Sequence, residues 1–519
     1  MENRPGALKM WIAGGAGAGA WKELAREAGV PLLLTSADAG PNDCVMAAGR
    51  RTGNPAGKLG KPGEPGERGE AGAAKTSGAL GASGPSGASG ASETSESHGA
   101  SSVSPWLMNA AASEVESLTG RELERRLRRE GVSARIGEQG GGMSLTVAVW
   151  GLAALEIRRA GNGSEFMNGI KKVEAAASRM AISEEHALWK PAEKLAVRAI
   201  YALGLDFGQV DVRMSDQGRF AVTGFDTRLL LRTPEGMRRW RETAGRFAAE
   251  WAAETEKGGV RTVLGADPEF VLLSAAGRVV PASRYFPYGG ETGCDSMRVR
   301  GEKIWPLVEL RPRPCPEPSQ LAAALHGLLR EASDRTAGSG LSWRAGALPV
   351  PGVPLGGHVH VSGAALHGER LRALDNAVAL PLRLLEPPGA GRRRPRYGAL
   401  GDARRQPHGG FEYRTPPSWL VSPRLALGVF ALAKVAAEHS RELAASGRPL
   451  DDERVREAFY EGERETLLAA VERVYRAIAA TGGYAAYREP IDFVFDAIGR
   501  GRTWNEHADI RAKWRIPVR

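Results

Sequence analysis

The chain has few cysteines. Only Cys44, Cys294 and Cys315 occur in 519 residues, and no two of them are close in sequence. An odd number of separated cysteines provides neither a disulfide framework nor a CxxC zinc motif. The composition therefore suits a reducing compartment.

Long apolar runs are also missing. The most apolar segment, 425–437 (LALGVFALAKVAA), is too short to span a bilayer and contains Lys434. The N-terminal stretch MENRPGALKMWIAGGAGAG lacks the apolar core of a signal peptide. These absences favour a soluble, cytoplasmic protein without a membrane partner.

Basic residues are in excess. Lys and Arg number 70 against 60 Asp and Glu, which gives a formal net charge of +10. The excess is scattered apart from one cluster at 392–396 (RRRPR), which is interpreted as a solvated loop. Scattered charge suits a pocket for ATP and carboxylates better than a nucleic-acid surface, so a nucleic-acid partner is disfavoured.

Glycine is concentrated in one stretch, residues 53–104. Its sequence GKPGEPGERGEAG has glycine at every third position, as collagen does because only Gly fits at a triple-helix axis. Prolines are few there, and the following SGASGASETSESHGASS has low hydrophobicity. We predict a disordered, collagen-like insert, with a trimerising stem as the alternative.

The segments on either side of the insert, 1–52 and 105–257, have the pattern of α/β structure. A strand-like LKMWIA leads through a glycine-rich loop (14–19) into the helical WKELAREAG and the strand-like VPLLLTS. Such loops can bind phosphate. Because the dinucleotide fingerprint is incomplete, a flexible turn is the preferred interpretation.

Residues 190–231 (KPAEKLAVRAIYALGLDFGQVDVRMSDQGRFAVTGFDTRLLL) predict a helix that stops at Gly204 and two strands that turn at 216–218. This stretch resembles the ATP-grasp fold, in which a helix ending in LGLDFG precedes a strand with a metal-binding acid, here Asp211. The second strand of that fold ends in Glu-x-Asn, where this chain has Gly224 and Asp226. The resemblance implies an ATP-grasp-like region with weakened Mg–ATP binding.

Four polar pairs follow residue 261, each inside an apolar, strand-like run. Side chains at i and i+2 of a strand point to one face. Four such strands in one sheet would form a concave surface carrying carboxylates, imidazoles and guanidiniums. The pairs are Asp267 with Glu269, Glu309 with Arg311, His358 with His360, and Glu412 with Arg414.

Carboxylates held this close would repel each other and take up protons unless cations lay among them. Oxygen ligands with imidazoles suit Mg²⁺ or Mn²⁺ better than Zn²⁺, and arginine forks suit phosphate or carboxylate oxygens. Each pair alone has a plainer interpretation, since an acidic strand is usually solvated and an HxH motif is more often structural. The four together predict an active-site sheet.

Four ordered motifs in residues 261–519 carry a resemblance to a known family. They are LGADPEFVLL, ETGCDSMRVRGEKIWPLVELRPRPCPEP, GGHVHVSG and RPRYGALGDARRQPHGGFEYRTPPSWLVSP. In this order they resemble the phage-type (phiEco-like) amidoligase type 2 family of glutamine-synthetase-like carboxylate–amine ligases. The resemblance implies an α+β ligase domain with one curved, mainly antiparallel sheet, preceded by the ATP-grasp-like α/β domain.

The resemblance also implies residue roles. The implied ligands of one magnesium ion are Glu269, Glu309 and Asp295. The implied ligands of a second, beside the ATP phosphates, are Asp267, His358 and Glu412. Side chains expected to contact phosphate or the substrate carboxylate are His360, Arg311 and Arg414. Side chains expected to line the nucleotide, together with His360 and Arg414, are Tyr397 and Arg404.

The implied reaction is ATP-dependent formation of an amide or peptide bond. The carboxylate attacks the γ-phosphate, and an amine then displaces the acyl phosphate. ATP and Mg²⁺ (or Mn²⁺) are the expected cofactors, and the carboxylate and the amine are not identified. Two other hypotheses stay open, a metal-dependent hydrolase and a non-catalytic nucleotide-binding scaffold assembled through the insert.

Overall fold

The structure is a computed structural model that describes residues 6–12, 18–33, 35, 38–48, 105–138, 140–159, 180–256, 259–407 and 409–518. The predicted collagen-like insert and residues 14–17 of the glycine-rich loop lie outside the described residues. Among the described helices, none is long and apolar enough to cross a membrane.

The first sheet is parallel and has four strands. They are β1 (Leu8–Ile12), β2 (Leu32–Leu33), β3 (Cys44–Ala48) and β4 (Trp106–Met108), in the order β2-β1-β3-β4. Helix α1 (Ala18–Ala28) joins β1 to β2, as a crossover between parallel strands requires. Because β4 follows the insert and pairs with β3, the segments on both sides of the insert contribute to one sheet.

The second sheet is antiparallel. Its strands are β5 (Met143–Trp150), β6 (Ala153–Arg159), β7 (Phe207–Met214) and β8 (Phe220–Asp226), in the order β6-β5-β7-β8. The helices of this region are α2 (Ala112–Ser117), α3 (Gly120–Arg129), α4 (Trp189–Ala202) and α5 (Pro234–Thr255). The predicted helix stop at Gly204 and the β7–β8 turn are confirmed, and Gly204 has a φ of 72°. The ATP-grasp resemblance itself stays a prediction.

The strands after residue 261 form two separate antiparallel sheets. In chain order they are β9 (Val263–Ala266), β10 (Glu269–Leu273), β11 (Val279–Val280), β12 (Thr292–Val299), β13 (Glu302–Leu310), β14 (Ser342–Arg344), β15 (Val359–Ser362), β16 (Ala403–Arg405) and β17 (Phe411–Tyr413). One sheet has the order β16-β17-β15-β9, and the other has the order β11-β10-β13-β12 with β14 also paired to β10.

The expectation of a single sheet is therefore wrong, and Pro268 gives the physical reason. Proline has no backbone N–H to donate to a strand ladder, and the chain leaves one sheet before it and enters the other after it. Two backbone hydrogen bonds keep the sheets adjacent there. Asp267 N donates to His358 O at 3.4 Å, and Glu269 N donates to Gly356 O at 2.9 Å.

Helices cover these sheets. They are α6 (Pro318–Arg335), α7 (Gly368–Leu374), α8 (Leu380–Leu385), α9 (Pro423–Glu438), α10 (Ser440–Ala445), α11 (Glu453–Glu461), α12 (Arg464–Ala479), α13 (Arg488–Gly499) and α14 (Ile510–Trp514). A π-helical turn, Asp375–Ala379, joins α7 to α8. Helix α9 contains the apolar segment 425–437 and is buried in the main hydrophobic core, where it contacts α6, α7 and α13.

Buried ion pairs join the N-terminal region to the part after residue 261. In each of three pairs the carboxylate comes from the N-terminal region and the arginine from the later part. The pairs are Glu130 with Arg456 (2.7 Å), Asp206 with Arg372 (2.6 Å) and Glu254 with Arg370 (2.9 Å). Buried charges are tolerated when they are paired in this way.

Candidate active site

The candidate site is built around Asp267-Pro268-Glu269, where the two sheets meet. Asp267 lies between β9 and β10, and Glu269 is the first residue of β10. The predicted placement of both on one strand face is wrong, because the strand is interrupted at Pro268. The two carboxylates instead belong to two different groups of potential metal ligands.

The first group, here called the histidine set, consists of Asp267, His358 and Glu412. His358 Nδ1 lies 3.0 Å from Asp267 Oδ1 and 3.2 Å from Glu412 Oε1. His360 lies beside the set, with its Nε2 3.1 Å from Asp267 Oδ2. The structure thus brings both histidines of the HxH motif close to Asp267, which follows β9, and His358 close to Glu412 on β17.

Strand pairing explains this convergence. β15 lies between β9 and β17, and His360 is opposite Gly265 on one side and Glu412 on the other. Gly356 packs directly against His358, because a Cβ at Gly356 would lie 2.4 Å from His358 Nε2. The glycines around the HxH motif therefore leave room for the imidazoles.

The second group, here called the acidic set, consists of Glu269, Asp295 and Glu309. Glu269 on β10 is directly opposite Glu309 on β13, and Asp295 comes from the adjacent β12. Glu269 Oε2 accepts a 2.7 Å hydrogen bond from Gly356 N. Burial raises the pKa of Glu269 to about 7, and the charges of Asp295 and Asp267 act in the same direction.

Both groups fit a divalent cation by their own chemistry. Within each set the potential ligand atoms lie within 4.8 Å of one another. In the histidine set, Asp267 Oδ1, His358 Nδ1 and Glu412 Oε1 are buried and have no hydrogen-bond partner of suitable geometry among the described residues. Buried polar atoms that converge without hydrogen bonds are suited to a shared cation.

Electrostatics in the histidine set favour the charged forms. Burial alone would raise the pKa of Asp267, but contacts with His358 and His360 outweigh it and lower that pKa well below its usual range. Burial by itself would lower the pKa of His358. The negative charges of Asp267 and Glu269 outweigh that effect, so the pKa of His358 is raised overall. These shifts favour a negatively charged Asp267 next to a positively charged His358.

The predicted arginines contact these carboxylates. Arg311 forms an ion pair with Glu309 and donates from Nη1 to Gly290 O at 3.1 Å. Two further arginines converge on Glu412, which is fully buried. Arg404 Nε donates to its Oε2 at 2.8 Å, and Arg414 Nε lies 3.2 Å from its Oε1.

Other predicted residues are not members of the two sets. Tyr397 is exposed, and Arg396 lies over its ring at 5.5 Å. In the N-terminal region, Asp211 accepts a hydrogen bond from Thr146 and Asp226 pairs with Arg228. Within the part of the chain that the structure describes, neither of these aspartates joins a group of three potential metal ligands.

The structure also shows residues that the sequence did not single out. Gln406 Nε2 donates to Glu412 Oε2 at 3.0 Å, and its place one residue beyond β16 was the only available signal. The interpretation of 392–396 as a solvated loop is wrong for Arg393 and Arg394, which are buried. Runs of charged residues are usually exposed to solvent, so the sequence RRRPR does not reveal which of its arginines are buried.

Comparison with known proteins defines the class to which this site belongs. Residues 264–516 match the model of a family of carboxylate–amine ligases, and an enzyme of this class forms amide bonds. The family is described as phage phiEco32-like COOH.NH2 ligase-type 2, and this part of the chain belongs to it. The resemblance drawn from the four motifs is confirmed.

Other comparisons add little. No curated protein matches the chain. A crystal structure of a bifunctional glutathione synthetase from Pasteurella multocida aligns with 49% of this chain at 11% identity and a TM-score of 0.27. The alignment covers 48% of that enzyme, so the chain spans about half its length. A likeness this distant carries no argument about the N-terminal region.

Proposed function

We propose that residues 261–519 catalyse ATP-dependent joining of a carboxylate to an amine, through an acyl phosphate, with two Mg²⁺ ions at the histidine set and the acidic set. The observation that supports this best is the division of six potential ligands into two groups that share the Asp267–Glu269 segment, with two of the three members buried in each. Two cations held side by side are suited to phosphoryl transfer.

When bound, Mg²⁺ would supply positive charge to offset the negative charge of the phosphate oxygens. The residues of the chain do the positioning. Glu269, Glu309 and Asp295 would hold one ion, while Asp267, His358 and Glu412 would hold the other. Mn²⁺ satisfies the same oxygen and imidazole ligands.

The remaining basic side chains would fix the reactants. Arg414 and Arg404 flank Glu412, and each extends from the buried carboxylate toward solvent, with side-chain exposures of 34% and 59%. His360 is partly exposed beside Asp267. Guanidinium groups in this position can bind phosphate or carboxylate oxygens in a bidentate manner. Arg311 would act in the same way beside Glu309.

The deciding experiment measures ADP release with Mg²⁺, ATP and a mixed library of carboxylates and amines. Glu269→Gln and Glu412→Gln should each reduce amine-stimulated release on the order of a hundredfold or more, the scale of losing one electrostatic partner of a transition state. Mn²⁺ binding, followed by electron paramagnetic resonance, should weaken in parallel.

Two variants serve as controls. Glu331→Gln changes a partly exposed glutamate on α6, whose ion pair within the described part of the chain is with Arg335, and it should leave ADP release unchanged. Asp211→Asn changes the exposed aspartate of the ATP-grasp-like region. If turnover depends on Asp211 and survives both glutamate changes, the active site is misassigned.

A further inference from the structure

Three consecutive arginines at the end of the segment after α8 have three different environments. Arg392 is exposed. Arg394 is buried and forms two hydrogen bonds with Glu386, of 2.7 and 2.5 Å. Arg393 is also buried, with 5% of its surface exposed, yet its Nε and Nη1 have no hydrogen-bond partner among the described residues. Arg393 therefore differs from both neighbours.

Arg393 lies beside the end of the strand that carries Glu412. A Cβ placed on Gly398 would be 3.1 Å from Arg393 Cζ and 3.0 Å from Thr415 O. Thr415 follows Arg414 directly, two residues beyond the end of β17. Gly398 has a φ of 73° and no side chain, so the guanidinium and this backbone can approach each other closely.

The charges near Arg393 leave it without a dedicated partner. Glu386 is already bonded to Arg394. Glu506 accepts hydrogen bonds from Leu348 N and from Trp504 Nε1. The other carboxylate that acts on Arg393 is Glu269 of the acidic set. If Glu269 holds a cation, its charge is no longer available to the guanidinium.

Burial without a partner is costly for a guanidinium, which keeps its charge. Desolvation, followed by repulsion from Arg394, lowers the pKa of Arg393 to about 10. The group is thus still protonated at neutral pH. A buried, unpaired cation is normally retained in a protein only where it meets an anion.

The charge balance of the site also requires an anion. Four arginines (Arg311, Arg393, Arg404 and Arg414) accompany six carboxylates, those of Asp267, Glu269, Asp295, Glu309, Glu412 and Glu506. Two divalent cations would turn this excess of two negative charges into an excess of two positive charges. Reactants that carry phosphate or carboxylate oxygens would restore the balance.

We propose that Arg393 binds an oxyanion of the reactants, either the terminal phosphate of the nucleotide or the carboxylate of the second substrate. The proposal rests on the proposed function for its reactants. Its own basis is the buried guanidinium beside Thr415 and the absence of a dedicated carboxylate for it among the described residues.

The test compares wild-type protein with Arg393→Met, which keeps the length and removes the charge, and with Arg393→Lys. Arg392→Met is the matched control for an exposed neighbour. Calorimetry gives the affinity for inorganic phosphate, for Mg·AMPPNP and for Mg·ADP. Arg393→Met should weaken phosphate binding at least tenfold, Arg393→Lys should weaken it less, and Arg392→Met should leave it unchanged.

Comparison of the nucleotides separates the two sources of the oxyanion. If AMPPNP binding weakens and ADP binding does not, Arg393 binds the terminal phosphate. If both nucleotides bind as in wild type while phosphate binding is lost, Arg393 binds the substrate carboxylate. Wild-type affinities for all three probes in Arg393→Met would overturn the proposal.

Thermal unfolding separates binding from a structural role. Arg393→Met removes an unpaired charge and should leave Tm unchanged or raise it, whereas Arg394→Met leaves Glu386 buried with a weaker partner and should lower Tm. A lower Tm in Arg393→Met, without any change in phosphate affinity, would make Arg393 a structural residue. If wild type binds phosphate through Arg393 but binds no Mg·nucleotide, the proposed function fails and the anion site stands.

Discussion

At the scale of single residues, Gly356 has two functions in the site. Its N–H donates to Glu269 of the acidic set, and its missing side chain makes room for His358 of the histidine set. One residue therefore supports both groups of ligands. Its backbone is outside the left-handed region, so an alanine there would add a steric contact without backbone strain.

We expect Gly356→Ala to displace His358 and to weaken Mn²⁺ binding about 10- to 100-fold, the usual effect of disturbing the support of a metal ligand. A Cβ would lie 2.4 Å from His358 Nε2, which is closer than any real contact. Paramagnetic resonance titration measures the affinity. An unchanged affinity would show that His358 can move aside without loss.

Gly327→Ala is the matched control for this change. Gly327 is exposed on α6, and nothing lies within 4 Å of the position of a Cβ there. Alanine is favoured over glycine in a helix, so this variant should raise the free energy of unfolding by about 0.5–1 kcal/mol. Mn²⁺ binding should not change.

The sequence predicted all six residues that the structure groups into the histidine set and the acidic set, and their role as metal ligands stays a prediction. The sequence was less informative where burial decides. The polar residues of the HxH, GADPEF and FEY runs stand out because their neighbours in the sequence are apolar. Arg393 did not stand out, because its neighbours in RRRPR are equally basic and only the tertiary packing separates exposed from buried members.

At the scale of secondary-structure elements, a π-helical turn joins the N-terminal region to β17, the strand that carries Glu412. Asp375 in that turn accepts hydrogen bonds from Tyr201 Oη of α4 at 2.8 Å and from Tyr413 Oη of β17 at 2.7 Å. Gly401 N donates to the same carboxylate at 2.8 Å. Asp375 therefore holds Tyr413, the neighbour of Glu412, against a helix of the N-terminal region.

This contact predicts a pH dependence of stability. Burial raises the pKa of Asp375 from 3.8 to about 7, although hydrogen bonds from Tyr413 and Tyr201 partly offset it. The fold therefore favours the protonated carboxyl. Its contribution to stability is complete below about pH 4 and is lost as the pH rises through 7.

Urea unfolding of wild type and Asp375→Asn at pH 5 and pH 8 measures the effect. The free energy of unfolding of wild type, relative to the variant, should fall by about 2–3 kcal/mol between the two pH values. The asparagine variant does not titrate and provides the reference. A constant difference between the two proteins would show that Asp375 keeps an ordinary pKa.

The strand pattern predicted the individual elements better than their assembly. Alternating polar residues correctly placed β10, β13, β15 and β17, but nothing in that alternation shows which strands share a sheet. Pro268 was the available signal, because a proline interrupts a strand ladder. The π-helical turn at 375–379 left no recognisable pattern in the sequence.

At the scale of the whole molecule, the interface between the two regions has an unequal distribution of charge. The N-terminal region supplies the carboxylates Glu130, Asp206 and Glu254, and the ligase part supplies the arginines that pair with them. If the two regions were separated, each of these charged side chains would lose its partner, and the buried surface around it would be opened to solvent. We therefore expect the two regions to depend on each other for stability.

Arg456→Met tests this dependence at one pair. It leaves Glu130 buried without its bidentate partner, so the free energy of unfolding should fall by about 3–5 kcal/mol. The double variant with Glu130→Gln should recover much of the loss. Arg335→Met, at an exposed pair with Glu331, should cost at most about 1 kcal/mol. Equal losses in the two single variants would contradict a buried, coupled interface.

The junction at Pro268 has a consequence for how the site can change. The residues on either side of one proline belong to different sets of ligands, and their Cα atoms can be separated by at most about 7 Å. A displacement of one set should therefore be felt by the other. If both sets bind cations as proposed, we expect the binding of one cation to change the affinity for the second.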